Sequence, residues 1–145
     1  MVDLNIRREQ ELNKALELLH FAFRAVIVKP DALLARHGLS RVHHRILYFV
    51  GRHPGLSVNE LLGVLGVSKQ SLNAPLRQLT RLAFIEAKPD ETDRRIKRLT
   101  LTKTGARLED RLSGDQRKRF ARVFDKLGPG GEAVWREAMR LLAEK

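Results

Sequence analysis

Residues 57–101 read SVNELLGVLGVSKQSLNAPLRQLTRLAFIEAKPDETDRRIKRLTL, and the order of signals in this stretch decides the fold. It opens on Ser57-Val58-Asn59-Glu60, an S-x-x-E capping box whose hydroxyl and carboxylate can each satisfy an orphan backbone donor, so a helix is predicted to start there. Val58, Leu61, Leu62 and Leu65 form one apolar stripe, and Gly66 can end the helix in the left-handed conformation. Ser68 is the next N-cap. Beyond it Leu72, Leu76, Leu79 and Ala83 mark an apolar side, while Lys69, Gln70, Asn73, Arg77 and Arg81 fall mostly opposite. Residues 84–88 then read as a strand, Pro89-Asp90-Glu91-Thr92-Asp93 as a turn-rich tip, and residues 96–101 as a returning strand with Leu99 and Leu101 on one face. Two short helices, a tight turn and a charged hairpin in that order predict a helix-turn-helix with a basic wing.

The residues on the free face of the second helix suit duplex DNA. A charged helix face is usually only solvated, but Gln and Asn can pair two-pronged with adenine and Arg with guanine in the major groove. Gln70, Ser71, Asn73 and Arg77 are therefore expected at base edges, with Ser68 at the cap and Lys69 and Arg81 on phosphates. Arg94 and Arg95 at the hairpin tip, with Lys97 and Arg98 just behind, are placed for the minor groove or for phosphate. Asp90, Glu91 and Asp93 would repel DNA if they faced it, so at least one is expected to hold an arginine in a fixed geometry. Pro75 lies inside the second helix, where its missing N–H and ring clash, costing about 3 kcal/mol, predict a kink or a shortened helix.

Three blocks resemble the MarR-type winged-helix transcriptional regulators: Ser57-Val58-Asn59-Glu60-Leu61-Leu62; Gly66-Val67-Ser68-Lys69-Gln70-Ser71-Leu72; and Asp90-Glu91-Thr92-Asp93-Arg94-Arg95 running into Leu99-Thr100-Leu101-Thr102-Lys103-Thr104-Gly105. The last two are the more specific. The resemblance implies an obligate homodimer that binds a pseudo-palindromic operator and is released by a small ligand or a redox event. It also implies a ligand crevice between the dimer helices and the wing domain, with Phe23, His43, His44 and Tyr48 as its expected lining.

Outside the wing the periodicity is helical. Leu12, Ala15, Leu16, Leu19, Ala22, Phe23 and Val26 predict one long amphipathic helix ending at Pro30. Ser40 can cap a second helix carrying Val42, Ile46, Phe49 and Val50 inward, and Thr102 a third carrying Leu108, Leu112, Phe120, Val123, Phe124 and Leu127. Gly128-Pro129-Gly130-Gly131 should break that helix before a last one with Val134, Trp135, Ala138, Leu141 and Leu142. Long helices at both ends have little of their own domain to pack on, so their stripes are expected to be buried against a second subunit. The expected architecture is mainly α with a small β wing (α+β), a single domain over residues 1–145. Residues 37–103 form the DNA-binding winged helix, and 1–36 and 104–145 the N- and C-terminal dimerization helices.

Composition bounds the function. The 145 residues carry 28 Lys and Arg against 17 Asp and Glu, a net +11 that favours a polyanionic partner and salt-dependent binding. No apolar run nears the roughly 20 residues that span a bilayer, and the N-terminus lacks a signal-peptide layout, so a cytoplasmic, soluble protein with no membrane partner is expected. Cysteine is absent, which removes disulfides, thiolate metal sites and thiol redox sensing. The five histidines include no i, i+4 pair on one helical face and no cysteine accompanies them, and no catalytic constellation or phosphate loop appears, so neither a cofactor nor an enzymatic activity is expected. The reading that results is a sequence-specific, ligand-responsive repressor acting as a homodimer on double-stranded DNA. Two rivals use the same residues differently: a basic structural protein binding nucleic acid without sequence preference, and a histidine-based metal-sensing regulator.

Overall fold

The computed structural model describes residues 4–145; the first three residues of the expected N-terminal dimerization segment lie outside that range. In chain order the elements are α1 (Leu4–Arg36), α2 (Arg41–Arg52), β1 (Leu56–Ser57), α3 (Val58–Leu65), α4 (Lys69–Arg81), β2 (Ile85–Pro89), β3 (Lys97–Leu101) and α5 (Lys103–Ala143). The strands form an antiparallel sheet in the order β1-β3-β2, with Leu56 and Ala87 both opposite Leu99. The chain is thus mostly helical with a small sheet, as expected. The two-residue β1 was not foreseen.

The core is built where these elements meet. Leu34 of α1, Ile46, Leu47 and Val50 of α2, Leu61 of α3, Leu72 and Leu79 of α4, Ile85 and Leu99 of the sheet and Leu112 of α5 are each at most 1% exposed. Each such side chain contributes about 1.5–3 kcal/mol by leaving water, so this shared cluster fixes α3 and α4 against the wing. Residues 4–24, by contrast, are exposed throughout, and the α1 stripe shows it: Leu12, Leu16, Leu19 and Phe23 are 45–67% exposed.

Four local expectations are corrected. The first helix does not stop at Pro30 but runs on to Arg36. Proline's missing N–H deprives the Val26 carbonyl of its helical donor, and the Gln116 side chain of α5 supplies one, Nε2 to O at 3.3 Å. Burying Leu34 in the core then favours continuing the helix. Pro75 does not shorten α4 either, since helix continues unbroken from Lys69 to Arg81; the Ser71 carbonyl it deprives belongs to an exposed residue within reach of water. Ala83 is not part of the α4 stripe: it follows the helix with φ +62° and is exposed. Phe84 and Ile96 are outside the strands, which begin at Ile85 and Lys97.

Gly128 breaks α5 as the Gly-Pro-Gly-Gly signal predicted, with φ +77° and ψ +171°. Pro129 follows, suited to the first turn of the next helical run. Across the break Trp135 packs on Phe120 and Phe124, ring centroids 5.2 and 5.3 Å apart.

Candidate nucleic-acid interface

Local hydrogen bonds build the helix-turn-helix. Ser57 Oγ accepts from the Glu60 N–H at 3.1 Å and starts α3; Gly66, at φ +65°, ends it; Ser68 Oγ accepts from the Ser71 N–H at 3.1 Å and starts α4. The apolar side of α4 buries Leu72 and Leu79. Its other side leaves Lys69, Gln70, Ser71, Asn73, Arg77 and Arg81 exposed, together with the cap Ser68. Asn73 and Arg77 border a groove of about 240 Å³ whose opposite wall includes Lys97 of β3. The polar face of α4 and the base of the wing therefore open onto one concavity.

The wing divides its arginines into two kinds. Arg95 is held by Asp93 in a two-pronged pair, Nε and Nη2 each 3.1 Å from a carboxylate oxygen. Arg98 turns inward as a strut: its Nε donates to Asp90 and its Nη1 to Glu60 of α3, both at 3.0 Å. At least one carboxylate was expected to fix an arginine; two do so at the tip. Asp90 also accepts from the Thr92 hydroxyl at 2.7 Å and from the backbone N–H of Thr92 and Asp93, which shapes the tip as an Asx-type turn. These bonds, led by the Thr92 hydroxyl and followed by Asp93 N–H and Arg98, hold its carboxyl well below the usual carboxylate range. Hydrogen bonding to Ser57, with Arg98 adding to it, lowers that of Glu60. Among the described residues, Lys69, Arg77, Arg81, Arg94 and Lys97 form no ion pair within the chain. These five cations keep their charge available to a partner.

None of the residues expected to line a ligand crevice borders the groove beside α4. Phe23 is 45% exposed beneath the Arg41 guanidinium, and Tyr48 lies under that of Arg52, 4.7 Å from ring centroid to Cζ. His43 and His44 are buried and hydrogen-bonded in different directions, His43 to Gln78 of α4 at 2.9 Å and His44 to Ser113 of α5 at 3.1 Å. Burial pushes the His44 imidazole below its ordinary value, against the opposing pull of Glu109 and Asp31. None of the four lines the concavity of about 690 Å³ between α1 and α5, whose walls include Lys29, Leu33, Arg111 and Lys118. The polar residues that sequence reasoning missed are Gln78, Glu109, Ser113 and Gln116. Glu109 and Ser113 had a signal, since they adjoin Leu108 and Leu112 on the inward side of α5.

Comparison with known proteins agrees with this geometry. The profile of the MarR family matches residues 37–96. The HTH-type transcriptional regulator PetP of Rhodobacter capsulatus is 38% identical over 136 residues, covering 94% of this chain and 82% of its own length. FabT of Streptococcus pneumoniae, solved in complex with DNA, superposes with a TM-score of 0.79 at 22% identity, covering 90% of this chain and 94% of that one. The MarR family protein Rv2887 of Mycobacterium tuberculosis, solved with p-aminosalicylic acid, gives 0.60 at 24% identity over 88% and 97%. The chain belongs to the MarR family of winged helix-turn-helix transcriptional regulators, which bind DNA.

Proposed function

We propose that the protein is a homodimeric repressor whose two α4 helices enter successive major grooves of a pseudo-palindromic operator, and that a small molecule releases it. The observation that carries the DNA-reading part is the groove shared by Asn73, Arg77 and Lys97, with Lys69, Arg81 and Arg94 exposed and, among the described residues, in no ion pair. In this reading Gln70, Ser71, Asn73 and Arg77 meet base edges, Ser68, Lys69 and Arg81 meet the backbone, and Arg94, Arg95 and Lys97 of the wing meet the flanking groove. Asp93 orients Arg95 for that contact.

Residues 37–103 act as the DNA-binding winged helix, and 1–36 and 104–145 as the dimerization helices. The exposed stripe of α1 and the exposed Val134, Leu141 and Leu142 at the other end of the chain support this division, because apolar surface on that scale is stable only when covered. Pairing would set the two α4 helices about 34 Å apart, one turn of DNA. The effector is proposed to act at the junction of α1, α2 and α5. Phe23 and Tyr48 expose ring surface there, whereas His43 and His44 would sense it only through the helices they join.

Selection of bound genomic fragments at near-physiological salt, paired with sedimentation of the intact chain, tests this. The expected result is a dimer with one palindromic motif preferred about a thousandfold or more over bulk DNA. Uniform recovery of fragments would mean a non-specific binder, and a stable monomer would remove the spacing mechanism.

A further inference from the structure

The angle of α4 is fixed by one directional link. Leu72 and Leu79 anchor the helix by apolar contact, which holds distance but discriminates poorly between small rotations. Among the described residues Gln78 is the only α4 side chain that hydrogen-bonds another element: its Oε1 is 2.9 Å from His43 Nε2, and its Nε2 donates to the Gly38 carbonyl at 3.3 Å. The direction of the first bond follows from the other end of the ring. Ser40 N–H donates to His43 Nδ1 at 2.9 Å, so Nδ1 carries a lone pair and Nε2 the proton. His43 thus stands where a capping box has its Glu, three residues after the N-cap Ser40, and the same ring reaches the third turn of α4.

We infer that His43 and Gln78 form a latch that sets the orientation of α4 relative to the corner between α1 and α2, making His43 a positioning residue for operator spacing. Gly38 belongs to the α1–α2 connection and Ser40 begins α2, so the latch ties α4 to the corner that α1 enters from the exposed end of the chain. The inference rests on the reading above that α4 meets DNA in a dimer. A latched α4 tolerates one separation of half-sites, and an unlatched one tolerates several.

Two substitutions divide the ring's duties. His43→Asn puts an acceptor near the Nδ1 position and cannot reach Gln78, so it keeps the cap and breaks the latch. His43→Gln extends a donor towards the Nε2 position from a place where glutamine also suits a capping box, so it keeps the latch. The probes are synthetic duplexes made from the genomic fragment recovered by selection, with half-site separation varied one base pair at a time. The intact protein should show a sharp optimum. His43→Asn should flatten it and weaken the best duplex about three- to tenfold, the range one net hydrogen bond spans. His43→Gln should restore the sharp optimum, a rescue that a merely structural role would not produce. Imidazole nitrogen shifts of the intact protein should show the Nε2-protonated form of His43. An unchanged profile in His43→Asn, equal flattening in both variants, or an Nδ1-protonated ring would overturn the latch. Asn73→Ala and Arg77→Ala separate the two levels: if neither weakens any duplex, the reading of α4 itself fails.

Discussion

Gly105→Ala should cost far more than a single methyl normally does. Gly105 stands three residues after Thr102, where α5 leaves the wing, and a Cβ built on it would overlap the Phe84 carbonyl oxygen and come 2.8 Å from the carbonyl carbon. An ordinary C···O contact is about 3.3–3.6 Å, so relief requires the start of α5 and the entry to β2 to part by roughly an ångström or more. Two hydrogen bonds lie across that seam, Thr102 N–H to Phe84 O at 3.1 Å and Thr102 Oγ1 to Ala83 O at 2.6 Å, and the same hydroxyl caps α5 by accepting from Gly105 N–H at 2.9 Å. Overpacking against a fixed backbone costs about 1–3 kcal/mol, and losing the Thr102 cap about 1 more. The better helix propensity of alanine returns up to about 1 kcal/mol, leaving a net loss of about 1–4 kcal/mol. For a chain of this size that corresponds to a melting temperature lower by about 3–15 °C. Thermal and urea unfolding followed by circular dichroism at one fixed chain concentration measures it, with Gly63→Ala as control, because an added Cβ there meets nothing within 4 Å. A Gly105→Ala protein that melts within a degree or two of the control would refute the reasoning.

Ala83→Gly should act the other way. Ala83 holds φ +62°, a left-handed conformation costing about 1–2 kcal/mol for a residue with a Cβ, so glycine should raise stability by about 1 kcal/mol; an unchanged urea midpoint would count against it. Arg94→Ala should weaken operator binding by about 1–3 kcal/mol and lower the salt slope by about one, because Arg94 is an exposed wing cation that forms no ion pair among the described residues. Titration of affinity against salt reads this directly, and an unaltered slope would make Arg94 a bystander. His44 should give the fold an acid-sensitive step. Burial lowers its pKa from the ordinary 6.5, so the unfolded chain takes the proton first. Its stabilising effect is then complete above about pH 6.5 and declines as pH falls towards the folded value. Urea stabilities of the intact protein and of His44→Gln, compared from about pH 7.5 to about pH 5, should diverge on the acid side, the intact protein losing more; parallel curves would show that His44 does not supply the step.

What the sequence discloses here is what local geometry decides. Ser57, Gly66, Ser68 and Thr102 each act on a backbone group within four residues, and each helix end they announce is found there. The break at Gly128 is local in the same sense. β1 escaped because two residues become a strand only by pairing Leu56 and Ser57 with Leu99 and Arg98, some forty positions away. Pro30 misled for the same reason, since the donor that replaces its missing N–H comes from Gln116. The exposed polar residues of α4 were legible as a set because helical spacing puts them on the side opposite the buried Leu72 and Leu79. The division of the cations into free and held was not, because Arg98 finds its partners in Asp90 at the hairpin tip and Glu60 of α3.

His43 and His44 sharpen that point, because neighbouring residues on one helix serve opposite neighbours. His43 reaches α4 through Gln78. His44 reaches α5 through Ser113, whose hydroxyl donates to Glu109 at 2.9 Å, so His44 must give its Nε2 proton to Ser113 Oγ. Glu109 is 4% exposed and is paired with Arg52 of α2 at 3.0 Å, which closes the network back on the helix where it began. Arg52 is partly exposed, so the pair contributes little net stability, but it is intolerant of displacement because losing Arg52 strands the buried Glu109 charge. α2 is therefore held by directional bonds on both sides, to α4 through Gln78 and to α5 through Ser113 and Glu109. Apolar packing alone would let α5 slide over α2 with little effect on α4. With these bonds in place, a shift of α5 must either break a buried network or carry α2, and with it Gln78 and α4, along.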